Sequence, residues 1–199
     1  MNTKDKIIEV ALDLFSVNGY ESVSVRDISK AVGIKESSLY NHFKNKQDIF
    51  DTIIQVCTEK AMNQYKDLKI DQTLQGDFKV YDRISEELLI KISMDLFEFY
   101  VTDKDMSRFR KILIIEQFKN KTIQDVYFKY FMDDAIQFQT QLFHYLMEVG
   151  ALKKSNPETL AYEFYSPIFL LMNRYNTLDE TVKKQIVEHI KHFNRTNAN

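Results

Sequence analysis

Three polar side chains near the start of this chain, Ser37, Asn41 and Lys44, have the types and the spacing to recognise a nucleic acid. If this stretch is helical, Leu39 and Phe43 lie one turn apart and form its buried side. At about 100° per residue, the three polar side chains then point the opposite way. Hydroxyl, amide and ammonium groups on a short exposed face suit the base edges and phosphates of a DNA major groove.

The residues around this face predict a helix-turn-helix. Ser24 is a favourable N-cap, and Asp27 three residues later completes a capping box that starts a first helix. Gly33 supplies the backbone freedom with which that helix can end at positive φ. A second helix follows from about Glu36 to Lys44. In this motif the second helix enters the major groove.

The charge distribution also marks this stretch. Residues 24–46 contain five Lys or Arg and two Asp or Glu, which gives a net charge of +3. The whole chain has 27 basic and 29 acidic residues, a net charge of −2, so the remainder carries −5. A basic region on an otherwise acidic protein attracts a polyanion such as DNA.

The N-terminal stretch resembles the DNA-binding domain of the TetR family of bacterial transcriptional regulators. The resemblance runs from Lys4 to about Phe50 and is most specific in the segment LYNHFKNK, residues 39–46. It departs at Lys35, where the family usually has Ser or Thr as the cap of the recognition helix. Other matching residues are Ala11, Leu12, Phe15, Gly19, Tyr20, Ser24, Val25, Arg26, Asp27, Ile28, Gly33 and Ile34.

We assign base reading to Ser37, Ser38 and Asn41, with Lys35 as a further candidate. We expect a homodimer on a pseudo-palindromic operator in double-stranded DNA, because two recognition helices related by a two-fold axis need two inverted half-sites. The resemblance implies contacts to the DNA backbone by Tyr40, His42, Lys44 and Lys46, with Ser24 or Arg26 contributing from the preceding helix.

For His42 alone, the helical wheel leaves two alternatives. The residue lies near the buried side of the predicted helix, so packing and phosphate contact are equally compatible with its position.

The composition predicts an all-α fold. The chain has 199 residues with only four glycines and two prolines, and the alternation typical of strands does not recur. A first helix ends near Asn18 and should brace the helix-turn-helix, and Asn45 with Asp48 caps a fourth helix from Lys46 to about Asn63. We expect a DNA-binding domain over residues 1–48 and a helical domain for ligand binding and dimerisation over residues 49–199.

The second domain is predicted to follow a loop over residues 65–76. Thr122 with Asp125, Asn156 before Pro157, and Thr177 with Glu180 are the expected start signals of its later helices. The predicted helices cover residues 78–100, 105–118, 122–149, 157–175 and about 177–193.

The resemblance implies a small-molecule effector that binds this second domain and moves the helix beginning at Lys46. Most aromatic residues there are expected to be core, but Glu116 falls on the apolar stripe of its helix and should face inward. It either pairs with a nearby Lys or Arg or orients a ligand, and a cationic ligand is then favoured. The candidate ligand-binding residues are Phe97, Tyr100, Phe109, Leu113, Glu116, Tyr127 and Phe164.

The last two helices are predicted to pair with those of a second copy as a four-helix interface. Pro167 should kink the first of them. The apolar stripes that carry this prediction are Leu160, Phe164, Ile168 and Leu171 on one helix, and Val182, Ile186, Ile190 and Phe193 on the other.

The sequence contains no pattern that indicates a cofactor, a metal site or an enzymatic activity. His189 and His192 lie three residues apart but lack a further ligand at suitable spacing, and the single cysteine, Cys57, excludes an internal disulfide. No phosphate loop or clustered catalytic set is present.

No stretch is apolar enough to serve as an export signal or to span a bilayer, which predicts a cytoplasmic protein without membrane contact. Control by a protein partner remains the alternative to a small molecule.

Overall fold

The computed structural model describes residues 2–68, 70, 78–81 and 85–199. These residues belong to two compact units, one formed by Met1–Gln64 with Lys104–Tyr127 and the other by Tyr65–Asp103 with Phe128–Asn199. The predicted all-α fold is confirmed, because the regular secondary structure of the described residues consists of helices, apart from an isolated bridge between Leu152 and Ala198. The predicted functional division at residue 48 stays a prediction, since the compact units divide the chain at other positions.

A run of helices makes up both units. A 3₁₀ turn occupies Phe78–Tyr81, and a π-helical turn at Lys129–Asp133 joins α7 to α8. In chain order the helices are α1 (Thr3–Asn18), α2 (Val25–Val32), α3 (Glu36–Tyr40), α4 (Lys46–Asp67), α5 (Glu86–Thr102), α6 (Lys104–Glu116), α7 (Lys121–Phe128), α8 (Asp134–Glu148), α9 (Pro157–Arg174) and α10 (Glu180–Asn197).

Several predicted helix ends need correction. The recognition helix α3 ends at Tyr40 rather than Lys44. Side chains other than the predicted ones cap two later helices: Asn120 accepts from the amide of Ile123 in place of the expected Thr122, and Asp179 caps α10 in place of Thr177.

Two further predictions overlap with residues outside the described chain. The helix expected over residues 78–100 begins as α5 at residue 86, and residues 82–84 lie outside the described chain. The loop expected over residues 65–76 is shortened, since α4 continues to Asp67, and its residues 69 and 71–76 are likewise outside the described chain.

The first unit buries the apolar stripe of α1 against α2 and α6. Phe15, Tyr20 and Phe50 form a cluster of rings, with centroids of Tyr20 and Phe50 5.0 Å apart. Cys57 is buried in the same unit, as expected for a small apolar side chain. This core fixes α1 behind the two helices of the helix-turn-helix.

The second unit is held together by α8 packed on α9 and by α5 packed on α10. Its core contains the residues of the predicted dimer interface. All eight have at most 9% of their surface exposed within a single chain, and their pairing with a second copy stays a prediction. They are Leu160, Phe164, Ile168, Leu171, Val182, Ile186, Ile190 and Phe193.

Among the helices of the described ranges, none has the length and apolar character needed to cross a bilayer. The same ranges contain no cluster of three or more His, Cys, Asp or Glu side chains placed to hold a metal ion.

Candidate nucleic-acid interface and effector cavity

The helix-turn-helix begins at the predicted capping box. The Ser24 hydroxyl accepts from the amide of Asp27 at 3.2 Å, and the Asp27 carboxylate accepts from the amide of Ser24 at 2.9 Å. The hydrogen bond from the Ser24 side chain holds the pKa of Asp27 below its ordinary value. Gly33 ends α2 in the left-handed region, at φ 81° and ψ 31°, and Lys6 donates to the carbonyl of Val32 at 2.9 Å. Both ends of α2 are therefore fixed locally.

The recognition helix α3 is short, and its buried side is as predicted. Leu39 and Phe43 are buried, while Ser37 and Asn41 are exposed and Ser38 is half-buried. The polar face that could read base edges is therefore open to solvent.

The two ends of α3 differ from an ideal helix. Lys35 occupies the N-cap without a side-chain hydrogen bond, as its departure from the family pattern predicted. Asn41 is the C-cap, and the amide of His42 donates to Leu39 in a turn that follows the helix. His42 is exposed, which removes the packing alternative for this residue. Asn41 and His42 thus occupy the end of the helix and the turn beyond it.

Most of the predicted DNA-binding residues are exposed on this unit. The half-buried exceptions are Ser38 and Lys46. The exposed members are Ser24, Arg26, Lys35, Ser37, Tyr40, Asn41, His42 and Lys44.

Lys46 turns inward. Its ammonium donates to the backbone carbonyls of Tyr20 at 2.9 Å and Glu21 at 3.3 Å, and it lies 4.3 Å from the centroid of the Tyr20 ring. The Tyr20 hydroxyl donates to Gln47 at 2.9 Å, and burial, reinforced by Glu21 and Asp51, raises the pKa of Tyr20 to about 12. Lys46 therefore braces the turn after α1, an arrangement that its position in the sequence motif did not indicate.

The start of α4 confirms the predicted cap. Asn45 accepts from the amide of Asp48 at 2.9 Å, and Asp48 accepts from the amide of Lys44 at 2.8 Å. The Lys44 side chain forms no ion pair with any described residue, so its ammonium is available to a ligand.

Charged residues of α6 connect this helix to α1 and α4. Arg108 is 8% exposed and pairs with Asp13 and with Asp105, the latter at 2.8 Å. Lys60 donates to Asp105 at 2.9 Å. Partial burial opposes ionisation of Asp105, yet the hydrogen bonds from Lys60 and Arg108 outweigh it and lower the pKa of this carboxyl.

Glu116 at the end of α6 faces inward, as predicted, with 1% of its surface exposed. Its Oε2 atom accepts no hydrogen bond from the described residues. It lies against Gly19, where φ is 82° and where an added Cβ would overlap Glu116 Oε1. Glu116 thus contacts the turn after α1 and forms no ion pair with a described Lys or Arg.

The second unit encloses an apolar cavity of about 170 Å³. The cavity lies among α5, α8 and α9, with contributions from Tyr65 near the end of α4 and Tyr81. Its other lining residues are Ile70, Leu89, Ile92, Ser93, Leu96, Phe97, Tyr100, Tyr130, Phe131, Ala135, Phe138, Gln139, Leu142, Phe143, Leu146, Phe164, Tyr165, Ile168 and Met172.

The polar groups of the cavity are few. The hydroxyls of Tyr65 and Tyr100 share a hydrogen bond of 2.6 Å, and the Tyr165 hydroxyl donates to the carbonyl of Phe131 at 2.8 Å. Burial, followed by the neighbouring Tyr65, raises the pKa of Tyr100 well above its ordinary value, which keeps the phenol neutral. Gln139 Oε1 is buried without a hydrogen-bond partner among the described residues.

Of the seven predicted ligand-binding residues, three line the cavity and four do not. Phe97, Tyr100 and Phe164 line the cavity. The other four belong to the first unit and do not line it, because α6 packs on α1 and α7 is part of the same unit. These four are Phe109, Leu113, Glu116 and Tyr127.

Residues 7–53 match the sequence profile of the bacterial regulatory proteins of the tetR family. The biofilm operon icaADBC HTH-type negative transcriptional regulator IcaR of Staphylococcus aureus (strain Newman) is 38% identical over 92 residues, covering 43% of this chain and 50% of IcaR. Over this N-terminal stretch the chain is similar to the TetR family. It spans about half the length of the curated relatives it matches.

The whole fold is also similar to that of TetR-family proteins of known structure. A chain described as a TetR-family transcriptional regulator from Mesorhizobium loti has a TM-score of 0.70 at 14% identity, covering 99% of this chain and 97% of that one. SmeT of Stenotrophomonas maltophilia, in its complex with triclosan, has a TM-score of 0.67 at 17% identity, covering 100% and 93%. At these identities the likeness shows the shared fold alone.

Proposed function

We propose that this protein is a transcriptional regulator of the TetR family that binds a pseudo-palindromic operator as a homodimer. The observation that carries the proposal is the exposed polar face of α3, set on buried Leu39 and Phe43 within the stretch that matches the family profile. IcaR is named a negative regulator, which favours repression for this chain as well.

Base reading falls to Ser37, Ser38 and Asn41, with Lys35 at the start of the helix. Serine hydroxyls and an amide can donate to and accept from base edges, and an amide can bond adenine in a bidentate manner. Exposure of Ser37 and Asn41 supports this assignment, since neither side chain is engaged in the core.

Contacts to the DNA backbone fall to residues on either side of this face. Their exposed cationic and hydroxyl groups can neutralise or bond phosphates without reading sequence. Lys46 is left out, because its ammonium already has partners within the chain. The proposed set is Ser24, Arg26, Tyr40, His42 and Lys44.

A groove between α8 and α9 is the proposed dimer surface. It is lined in part by Ile136, Tyr162 and Phe169, and Tyr162 is 52% exposed. Leu170 on the same helix is 65% exposed. A two-fold interface uses the same patch of both copies, so large exposed apolar side chains on one helix pair can cover each other. A purely monomeric species at micromolar concentration in analytical ultracentrifugation would contradict dimerisation.

The cavity of the second unit is the proposed effector site. Tyr65 lines it and bonds Tyr100, and Tyr65 belongs to α4, the helix that begins at Lys46 after the helix-turn-helix. A ligand that favours one position of Tyr65 can therefore bias the position of α4. A tenfold to hundredfold loss of operator affinity requires only about 1.4 to 2.7 kcal/mol of coupling.

Control by a protein partner is the alternative. It would be favoured if aromatic side chains filled the bundle completely, and the open cavity supports a small molecule instead.

The deciding experiment measures binding to promoter-proximal DNA and to random DNA of equal length over a salt series. We expect at least a hundredfold preference for the specific DNA, consistent with about 10³ or more for typical specific binders. Equal affinity for the two DNAs at every salt concentration would refute operator binding at that promoter and direct the search to other sites.

A further inference from the structure

The size of the cavity limits what it can hold. Its volume of about 170 Å³ is close to the roughly 150 Å³ of an engineered apolar cavity that binds benzene. One six-membered aromatic ring with a small substituent fits this volume without moving the walls. Six Phe or Tyr residues of the lining, Phe97, Tyr100, Phe131, Phe138, Phe143 and Phe164, can pack against such a ring.

The lining also determines the charge of the ligand. None of the described residues that line the cavity is Asp, Glu, Lys, Arg or His. An ion moved from water into such surroundings without a counter-charge loses several kcal/mol of hydration free energy. The lining therefore disfavours both carboxylates and ammonium groups. The cationic ligand considered from the sequence depended on Glu116, which does not line the cavity.

Gln139 supplies the directional contact. Its Oε1 atom is buried in the cavity wall and accepts no hydrogen bond from the described residues. A buried acceptor without a partner is unfavourable by about 1 to 3 kcal/mol, so a ligand that donates to it gains affinity. A hydroxyl group both donates and accepts, and it complements the carboxamide in either of its two orientations.

We propose, resting on the proposed function, that the effector is of the phenol class: one uncharged aromatic ring whose hydroxyl bonds the side chain of Gln139. The ring packs among the aromatic walls, and the hydroxyl occupies the part of the cavity next to α8. The Tyr65 and Tyr100 hydroxyls already bond each other, which leaves the Gln139 carboxamide as the acceptor in need of a donor.

The test compares four probes of one ring size on the full chain at pH 7: phenol, benzene, benzoate and benzylamine. Calorimetric titration gives each dissociation constant. We expect phenol to bind more tightly than benzene, and both to bind at least tenfold more tightly than the two charged probes. Benzoate or benzylamine binding as tightly as phenol would overturn the proposal.

Two cavity variants and one control variant locate the site. Gln139→Leu should weaken phenol binding about tenfold and leave benzene binding unchanged, because only the hydrogen bond is removed. Ala135→Leu, which reduces the cavity volume, should weaken both probes. Gln185→Leu, at an exposed position of α10 outside the cavity, should weaken neither. Unchanged phenol binding in both cavity variants would refute the site, and circular dichroism verifies that each variant is folded.

Operator binding is measured in parallel, so that failure of this inference can be distinguished from failure of the proposed function. Specific DNA binding with no phenol binding would overturn this inference and still support the proposed DNA-binding function. Phenol binding with no specific DNA binding would overturn the proposed function while supporting the cavity assignment. Phenol bound to the protein–operator complex without any loss of operator affinity would refute phenol-class molecules as effectors.

Discussion

Replacing Lys46 should destabilise the protein without removing any contact between the protein and DNA phosphates. Its ammonium donates to two backbone carbonyls, at 2.9 and 3.3 Å, and lies 4.3 Å from the Tyr20 ring centroid. Hydrogen bonds of a charged group contribute about 1.5 to 3 kcal/mol when buried, and a cation–π contact adds about 0.5 to 1 kcal/mol. Lys46 is half-buried, so we discount these values and expect Lys46→Met to lower the free energy of unfolding by about 1 to 2 kcal/mol.

Lys44→Met is the matched control two residues earlier. The Lys44 ammonium has no ion-pair partner among the described residues, so its loss should change stability by less than about 0.5 kcal/mol. In a dimer it should instead flatten the plot of log affinity against log salt by about 1.8, or about 0.9 for each lost phosphate contact. The Lys46→Met slope should equal that of the wild type.

Thermal unfolding and DNA binding over a salt series measure the two effects. A loss of 1 kcal/mol lowers the melting temperature of a protein of this size by about 2 to 4 °C, so Lys46→Met should melt about 2 to 8 °C lower. A variant with wild-type stability and a flattened salt slope would refute the structural role of Lys46 and restore it as a phosphate contact.

Three further predictions concern the base-reading face, the turn after α1 and the α6 ion pairs. Asn41→Ala should relax specificity at one base position by about 1 to 3 kcal/mol, measured on single-base operator variants. Gly19→Ala should lower the free energy of unfolding by about 1 to 3 kcal/mol, because φ is 82° and the new methyl overlaps Glu116 Oε1. Adding Glu116→Ala should restore only the steric part of that loss. The pKa of Asp105 is lowered from its ordinary 3.8, since hydrogen bonds from its basic partners, Lys60 first, outweigh burial. Its contribution to stability is therefore present above about pH 4 and is lost as pH falls through the folded-state pKa, so wild type and Asp105→Asn should converge in urea unfolding at low pH.

A specific result would contradict each of these predictions. An equal loss of affinity for operator and random DNA would remove Asn41 from the reading face. Gly19→Ala with wild-type stability would mean that the turn after α1 adopts another conformation in solution. A stability difference between wild type and Asp105→Asn that stays constant down to pH 3 would show that ionisation of this carboxyl is not linked to folding.

The parts of the site that depend on near neighbours in sequence were predictable. The capping box of Ser24 and Asp27 needs contacts only three residues apart, and Gly33 marks the helix end by its own conformation. The inward turn of Lys46 was not predictable, because its partners lie 25 and 26 residues earlier and only the folded core brings them together.

Periodicity alone also left open which surface a helix packs against. The apolar stripes of α9 and α10 are buried within a single chain, whereas their periodicity was interpreted as a surface for a second copy. Glu116 likewise faces inward as its spacing indicates, but α6 packs on α1 and places it beside Gly19. A hydrophobic stripe specifies that one face is covered, and only tertiary structure specifies the element that covers it.

The inward position of Lys46 also changes what the charge count means for DNA binding. Residues 24–46 hold five cations, but with Lys46 engaged internally the exposed ones are Arg26, Lys30, Lys35 and Lys44. A homodimer can therefore neutralise about eight phosphates with this region, for a salt slope of at most about −7. A steeper slope would require cations from outside the helix-turn-helix, whereas a slope near this limit would mean that almost every exposed cation of the motif contacts the DNA backbone.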